Sequence, residues 1–384
     1  MSEMPSGIVE SNVNGCDAVR RYILTKYRCG EKLPRIGELS KKAGVSRYAA
    51  ERVLTEMSAE GIVERKPRFG SVLMRNESNS YSTNVHSKIK TLAFIADDLR
   101  SFIAGEYMLG IESRCRGKEI LVSPLNSDYQ PSIEKHNLRS LSNGHFCGAI
   151  IRFGEQSENI QMLDKEVSNG FPVVLVDRGD EGTGFPCVKM NQRKAGYDAT
   201  KHLIDLGHSR IAHITYNENL RPLLAETKAR KEGYFDALNQ AGIGVPPGYV
   251  GGGDLFAQGE RPTQSYFCSL GYEPMNRLLL QKVRPTAVFL MNFQFVFGVL
   301  RAIKDHGLTV PGDISVICID DEPLALHLDP SITVISQPLQ KMGYLAVDIL
   351  TETISGRKPS QLCYELEGKL ILRGSTTILN KHND

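Results

Sequence analysis

The stretch "VSRYAAERVLTEMSAEGIVERKPRFGSV", residues 45–72, changes character halfway along. Its first half has helical spacing, with Ala50, Val53, Leu54 and Met57 on one face. Arg47, Tyr48, Glu51, Arg52 and Thr55 lie on the other, which is too charged to bury. Ser46 is a good N-cap, and Gly61 is placed to end the helix near Glu60. "IVERKPRFGSVLM" then reads as two short strands around Pro67 and Gly70. Upstream, Val19, Ile23, Leu24 and Tyr27 repeat at helical spacing, so a helix is expected near 16–27. "CGEKLP" breaks it, and a second short helix follows at about 35–42, ended by Gly44. Three helices and a small basic hairpin make a winged helix-turn-helix over residues 1–75.

The charged face has a chemical use. An α-helix fits the major groove of DNA, where arginine can donate two bonds to guanine. Residues at the helix start reach base edges first, which puts Arg47 and Tyr48 forward. Arg65, Lys66 and Arg68 in the hairpin suit phosphates or the minor groove. Residues 1–76 hold 14 Lys/Arg against nine Asp/Glu, while the rest of the chain holds 32 against 35. A basic unit on a slightly acidic body points to a polyanion as its partner. The same features taken singly also describe a solvated helix and a basic turn. The rival function is a small-molecule sensor whose basic domain meets a protein partner.

Residues 76–90 are polar and aperiodic and read as a flexible linker. Beyond it, apolar runs stand at "TLAFIAD", "EILVSP", "GAIIRF", "PVVLVD", "RIAHIT", "TAVFLM" and "ISVICID", with helical stretches between most of them. Strands without a polar face belong in parallel sheets covered on both sides, so residues 91–384 read as a doubly wound α/β body. Seven or more such units suit two similar lobes, with ligand at the carboxyl ends of the strands.

Composition excludes several classes. No apolar run is long enough to span a bilayer, and the start lacks a basic region followed by an apolar core. A cytoplasmic protein is expected. The eight cysteines are scattered without a CxxC pair, so small buried thiols are expected rather than a zinc site or disulfide framework. No metal or cofactor is expected. His208 and His213 in "GHSRIAHI" have no nucleophile or acid placed beside them, and an enzyme is not expected. "GVPPGYVGGGD", 244–254, matches no phosphate-binding pattern and reads as a loop.

"EKLPRIGELSKKAGVSRYAAERVLTEMSAEGIVERKPRFGSVL" resembles the GntR-type winged helix, in "LP" before helix two, "GVSR" at the turn and "EGI" closing helix three. The wing departs from the family: "RFGSVL" replaces a more glycine-rich turn. Arg35-Ile36-Gly37 stands where the family has Ser-Glu-Arg, so a contacting arginine shifts to Arg35. The resemblance implies a DNA-contacting set of Arg35, Ser46, Arg47, Tyr48, Arg52, Lys66, Arg68 and Gly70.

"VKMNQRKAGYDATKHLIDLGHSRIAHI", "RKEGYFDAL", "RPTAVFLMN", "VPGDISVICIDDEPLA" and "ITVISQPLQKMGYLAVDIL" look like the effector domain of the LacI/GalR repressors. That domain is itself similar to periplasmic sugar-binding proteins. The combination resembles the arabinose-repressor arrangement. It implies a sequence-specific regulator, in most such cases a repressor, that answers to a small sugar or sugar-like effector and binds an operator as a homodimer. Polyols are held by groups that accept and donate hydrogen bonds at strand ends. Asp177, Asn292, Asp320 and Gln337 stand there, and Arg230 opens a helix three residues before Gly233. The resemblance makes all five effector contacts. Local uses stay open: Asp177 and Asp320 as turn caps, Asn292 as a helix N-cap. Phe293 replaces a family acid, which would give the pocket an apolar face suited to a ligand with fewer hydroxyls. "SFIA" at 101–104 replaces "NPFF", so the stacking aromatic is lost or moves to Phe102.

Overall fold

The computed structural model describes residues 18–66, 70–74, 90–154, 159–160, 163, 170–179, 183–216, 225–253 and 264–379. It divides into two compact units that meet at the 89/90 boundary. The expected linker lies outside the described residues except for Lys90, which already belongs to a strand.

In the first unit, helical residues 18–26 (α1) precede α2 (Ile36–Ala43) and α3 (Arg47–Ala59). Gly44 ends α2 at φ 69°, and its N–H bonds back to the carbonyls of Ser40 and Lys41. The Ser46 hydroxyl accepts from Ala49 N and caps α3. Val19, Ile23, Leu39, Val53, Leu54 and Met57 bury one core between the three helices. β1 (Val63–Lys66) and β2 (Gly70–Leu73) form an antiparallel hairpin in which Lys66 faces Gly70. Residues 31 and 33 bond to β2 from its other side, through Leu73 N to Glu31 O and Leu33 N to Ser71 O. The tip, including Arg68, lies outside the described residues.

The second unit holds two six-stranded sheets. The first runs β13-β7-β6-β5-β3-β4 and is parallel throughout. Its strands are β3 (Lys90–Ala96), β4 (Ile120–Asn126), β5 (Gly148–Arg152), β6 (Val173–Val176), β7 (Cys187–Met190) and β13 (Cys363–Leu366). The second runs β14-β12-β11-β10-β8-β9, parallel except for β14. Its strands are β8 (Ile211–Tyr216), β9 (Val250–Gly253), β10 (Ala287–Leu290), β11 (Ser315–Ile319), β12 (Thr333–Ser336) and β14 (Lys369–Ile371).

The chain passes between these lobes three times. After β7 it enters α6 (Gln192–Asp205), which packs on β10, β11 and β12 of the second lobe. After β12 it returns in α11 (Leu339–Ile354), which covers β5, β6 and β7 of the first. The third passage leads from β13 to β14. The other helices of the first lobe are α4 (Phe102–Arg116), beside α11, and α5 (Pro131–Ser140). Those of the second are α7 (Ala225–Gln240) against α6, α8 (Gln264–Leu279) against α9 (Val296–Asp305), and the short α10 (Leu324–His327).

The glycine-rich segment expected as a loop contains strand β9, paired in parallel with β8. A Cβ at Gly252 would lie 1.5 Å from the carbonyl oxygen of Thr215. The glycines there permit close backbone approach, and so they weaken the usual strand pattern. His208 and His213 are core residues. His208 bonds to Thr286 Oγ1 at 2.9 Å and Ser315 Oγ at 3.0 Å, and burial lowers its pKa. His213 stacks on Tyr234 and Phe289, and burial brings its pKa down to about 4.

Candidate functional site

Two surfaces carry the chemistry. On the first unit, the start of α3 is open: Tyr48 is 74% exposed, and Arg47 beside it is exposed as well. Arg35 is exposed at the N-cap position of α2. Other basic groups are already paired. Arg52 Nε lies 2.8 Å from Glu56, one turn along, and Lys66 Nζ lies 3.2 Å from Glu64. Arg65 reaches from the hairpin to Glu51 at 2.7 Å and Thr55 at 3.4 Å, tying the wing to α3. Such exposed pairs are worth little and exchange readily for phosphate. Gly70 has φ 105°, a backbone conformation that disfavours a side chain.

In the second unit, a cleft opens where strands of both lobes end. Its walls include Asp97, Arg152, Asp177 and Arg178 from the first lobe, and Arg230, Asn292, Asp320 and Gln337 from the second. The enclosed space is small, about 60 Å³, and the cleft opens to solvent. The two sheets share one order, so β6 and β11 occupy equivalent positions. Asp177 and Asp320 follow them, both buried and both left-handed, at φ 67° and 80°.

The first-lobe wall is a paired lattice. Buried Arg152 bonds to Asp97 and lies 2.9 Å from Asp177 Oδ2. Arg178 reaches Asp97 Oδ2 at 3.1 Å and Glu226 Oε1 at 3.0 Å. Burial alone would raise the Asp97 carboxyl, but Arg152 and Arg178 together hold it below its ordinary range. The second-lobe wall is less balanced. Arg230 donates to Gln192 Oε1 at 2.7 Å and to Met291 O at 2.8 Å. Gln337 Nε2 donates to Asp320 Oδ1 at 2.5 Å, while Gln337 Oε1 has no hydrogen-bond partner among the described residues. Burial raises the Asp320 carboxyl against the pull of Arg230. Burial and the neighbouring Asp320 push Glu322 up to about 7.

Asp177, Arg230, Asn292, Asp320 and Gln337 all line this cleft. Arg230 does not open a helix: it is the sixth residue of α7. It arrives there because α6 and α7 touch backbone to backbone. A Cβ at Gly196 would lie 2.1 Å from Arg230 O, and one at Gly233 would lie 1.9 Å from Arg193 O. Asn292 has both uses: its Oδ1 accepts from Gln294 N at 3.1 Å, capping a short turn, while the residue faces the cleft. Phe293 is not a cleft wall. It is 1% exposed and packs edge-on against Phe297 in the second-lobe core. The residue after a strand points to either side as the turn directs, and here Asn292 and Gln294 take the cleft side. Phe102 packs on the first-lobe core, while Ser101 and Ile103 reach the cleft instead.

Residues 16–73 match the gntR family of bacterial regulatory proteins, and residues 200–376 match a periplasmic binding protein-like domain. Over 353 residues the chain is 25% identical to the transcriptional repressor PurR of Photobacterium profundum, spanning 90% of this chain and 99% of that one. Over 352 residues it is 26% identical to the transcriptional regulator DegA of Bacillus subtilis, covering 90% and 98%. Among solved structures, a LacI family regulator from Enterococcus faecium with bound ribose aligns at TM-score 0.60 and 26% identity, covering 76% of this chain and all of that one. The regulator CcpA of Lactococcus lactis aligns at TM-score 0.63 and 24% identity, covering 75% and 99%. The chain thus joins a gntR-type winged helix to a periplasmic binding protein-like domain, and along most of its length it is similar to LacI-family regulators.

Proposed function

We propose that this protein is a ligand-responsive, sequence-specific DNA-binding transcriptional repressor, working in the cytoplasm as a homodimer on a two-fold operator. The observation that carries the reading is the open N-terminal face of α3, with Arg47 and Tyr48 exposed, on a chain that also holds a polar two-lobed cleft. Arg47 and Tyr48 would read bases. Arg35, Ser46, Arg52, Lys66, Arg68 and Gly70 would serve the backbone contacts and the wing.

A small neutral sugar is the favoured effector. The first-lobe charges are already paired, with one another and, through Arg178, with Glu226 of the second lobe, which leaves little for an ionic ligand. The second-lobe wall offers acceptors at Asp320, Glu322 and Gln337 for hydroxyl donors. The ribose-bound relative points the same way. With Phe293 in the core, nothing favours a deoxy or ring-stacking ligand. Effector would act by favouring one arrangement of the lobes, which is what coupling requires. The deciding experiment is selection from a random DNA pool with and without a panel of sugars. Enrichment of one palindromic site, altered by one sugar, is expected. No enrichment at low salt would favour a sensor that acts through a protein partner.

A further inference from the structure

Cys187 on β7 and Cys363 on β13 sit directly opposite one another on adjacent parallel strands. The register is held by Cys187 N donating to Leu362 O at 2.7 Å. Neighbouring strands lie about 4.8 Å apart, and paired positions project to the same face. That spacing falls within the roughly 4.4–6.8 Å Cα separation a disulfide spans. Both thiols are free. Their surroundings differ. Cys187 is fully buried, its thiol donates to Gly179 O at 3.3 Å, and burial, with Cys363 beside it, pushes its pKa up to about 12. Cys363 is half-buried on an edge strand and packs against the core around Cys187. Lys189 stands two residues along β7, with Nζ 3.5 Å from Glu365 on β13, two residues beyond Cys363. A half-buried thiol at the sheet edge, with a second thiol directly behind it, is the arrangement of a cysteine that is oxidised and its resolving partner.

We propose that Cys363 and Cys187 form a reversible disulfide when the protein meets a hydroperoxide. The Cys363 sulfur, having given up its proton, attacks one peroxide oxygen. The O–O bond breaks, and the departing oxygen takes up the proton as water or an alcohol. Cys363 is now a sulfenic acid. The Cys187 sulfur attacks the Cys363 sulfur, the S–O bond breaks, and hydroxide leaves as water with the Cys187 proton. Two thiols have lost two electrons and two protons, and the peroxide has gained them. The new bond would join two of the three passages between lobes. β7 runs on through Asn191 into α6, β13 runs on into β14, and Asn191 N already donates to Leu366 O at 2.8 Å. Oxidation would therefore limit sliding between these passages.

The test treats the full chain with hydrogen peroxide and analyses it by mass spectrometry without reductant. The oxidised protein should be two hydrogens lighter, its digest should join the Cys187 and Cys363 peptides, and dithiothreitol should reverse both changes. Cys187→Ala should instead accumulate a Cys363 sulfenic acid that dimedone traps. Cys363→Ser should leave Cys187 unmodified. Oxidation that falls on exposed Cys29 while Cys187 and Cys363 stay unlinked, or a Cys187→Ala protein with no trappable Cys363, overturns the proposal.

Discussion

Arg230 and Glu322 share one cleft wall, and their fates on ligand binding differ. Arg230 is buried and has two internal acceptors, so it is set in place before any ligand arrives. Removing it in Arg230→Ala would delete a charge-assisted bond of about 1.5–3 kcal/mol. Affinity for the sugar identified by selection should fall at least about tenfold by calorimetry, while DNA binding persists. Glu322 behaves differently because its carboxyl is pushed up to about 7 by burial and by Asp320. Between its unfolded value of 4.5 and 7, the folded chain holds a proton that the unfolded chain has released. Stability from this group is therefore present below pH 4.5 and lost as pH rises through 7. Thermal midpoints of the ligand-free protein should show this decline, and Glu322→Gln should flatten it. A parallel pH profile in the variant would assign the decline to another group. The residues that line the cleft were partly legible in the sequence. A polar residue closing an apolar run marks Asp177 and Asp320, and the same signal stands at Asp97 and Arg152. Arg178 and Glu322 carry no such mark, because the turns that aim them depend on the neighbouring strands, and Glu226 sits in the first turn of α7 rather than at the end of a strand.

Among the elements, α3 shows where periodicity suffices. Its inward residues Ala50, Val53, Leu54 and Met57 are all buried, and its cap and stop residues act as the sequence indicated. Arg47→Ala should cost about 1–3 kcal/mol on a selected operator and relax its sequence preference. Lys66→Ala should weaken all DNA alike and reduce the salt slope by about one unit. Fluorescence anisotropy across a salt series separates the two outcomes. Strand β9 shows where periodicity fails, since its glycines answer to the backbone of β8 rather than to a side-chain pattern. The α6–α7 contact is of the same kind. Gly233→Ala would drive a methyl into the backbone of Arg193, so the helices must part. Overpacking of this sort costs about 1–3 kcal/mol. It should also displace Arg230, which lies one turn away on α7. A lower thermal midpoint together with weaker sugar binding is the expected pair of results.

At the scale of the molecule, a single winged helix covers few base pairs, and two-fold proteins read two-fold sites. Light scattering should give twice the chain mass at micromolar concentration, and a monomer mass with and without DNA would refute the dimer. The apolar stripe of α11 is not free to form that interface by itself. Met342, Ala346, Val347 and Leu350 are spent on the first-lobe core. That use of α11 has a consequence for how the chain is made. The first lobe needs α11 over β5, β6 and β7, and its edge needs β13, yet both lie after nearly all of the second lobe in sequence. During synthesis, its strands would leave the ribosome with one apolar face uncovered until residue 354 had emerged. The N-terminal lobe therefore stays open until nearly the end of synthesis, and a nascent chain stalled before α11 would depend on a chaperone to keep that face from self-association.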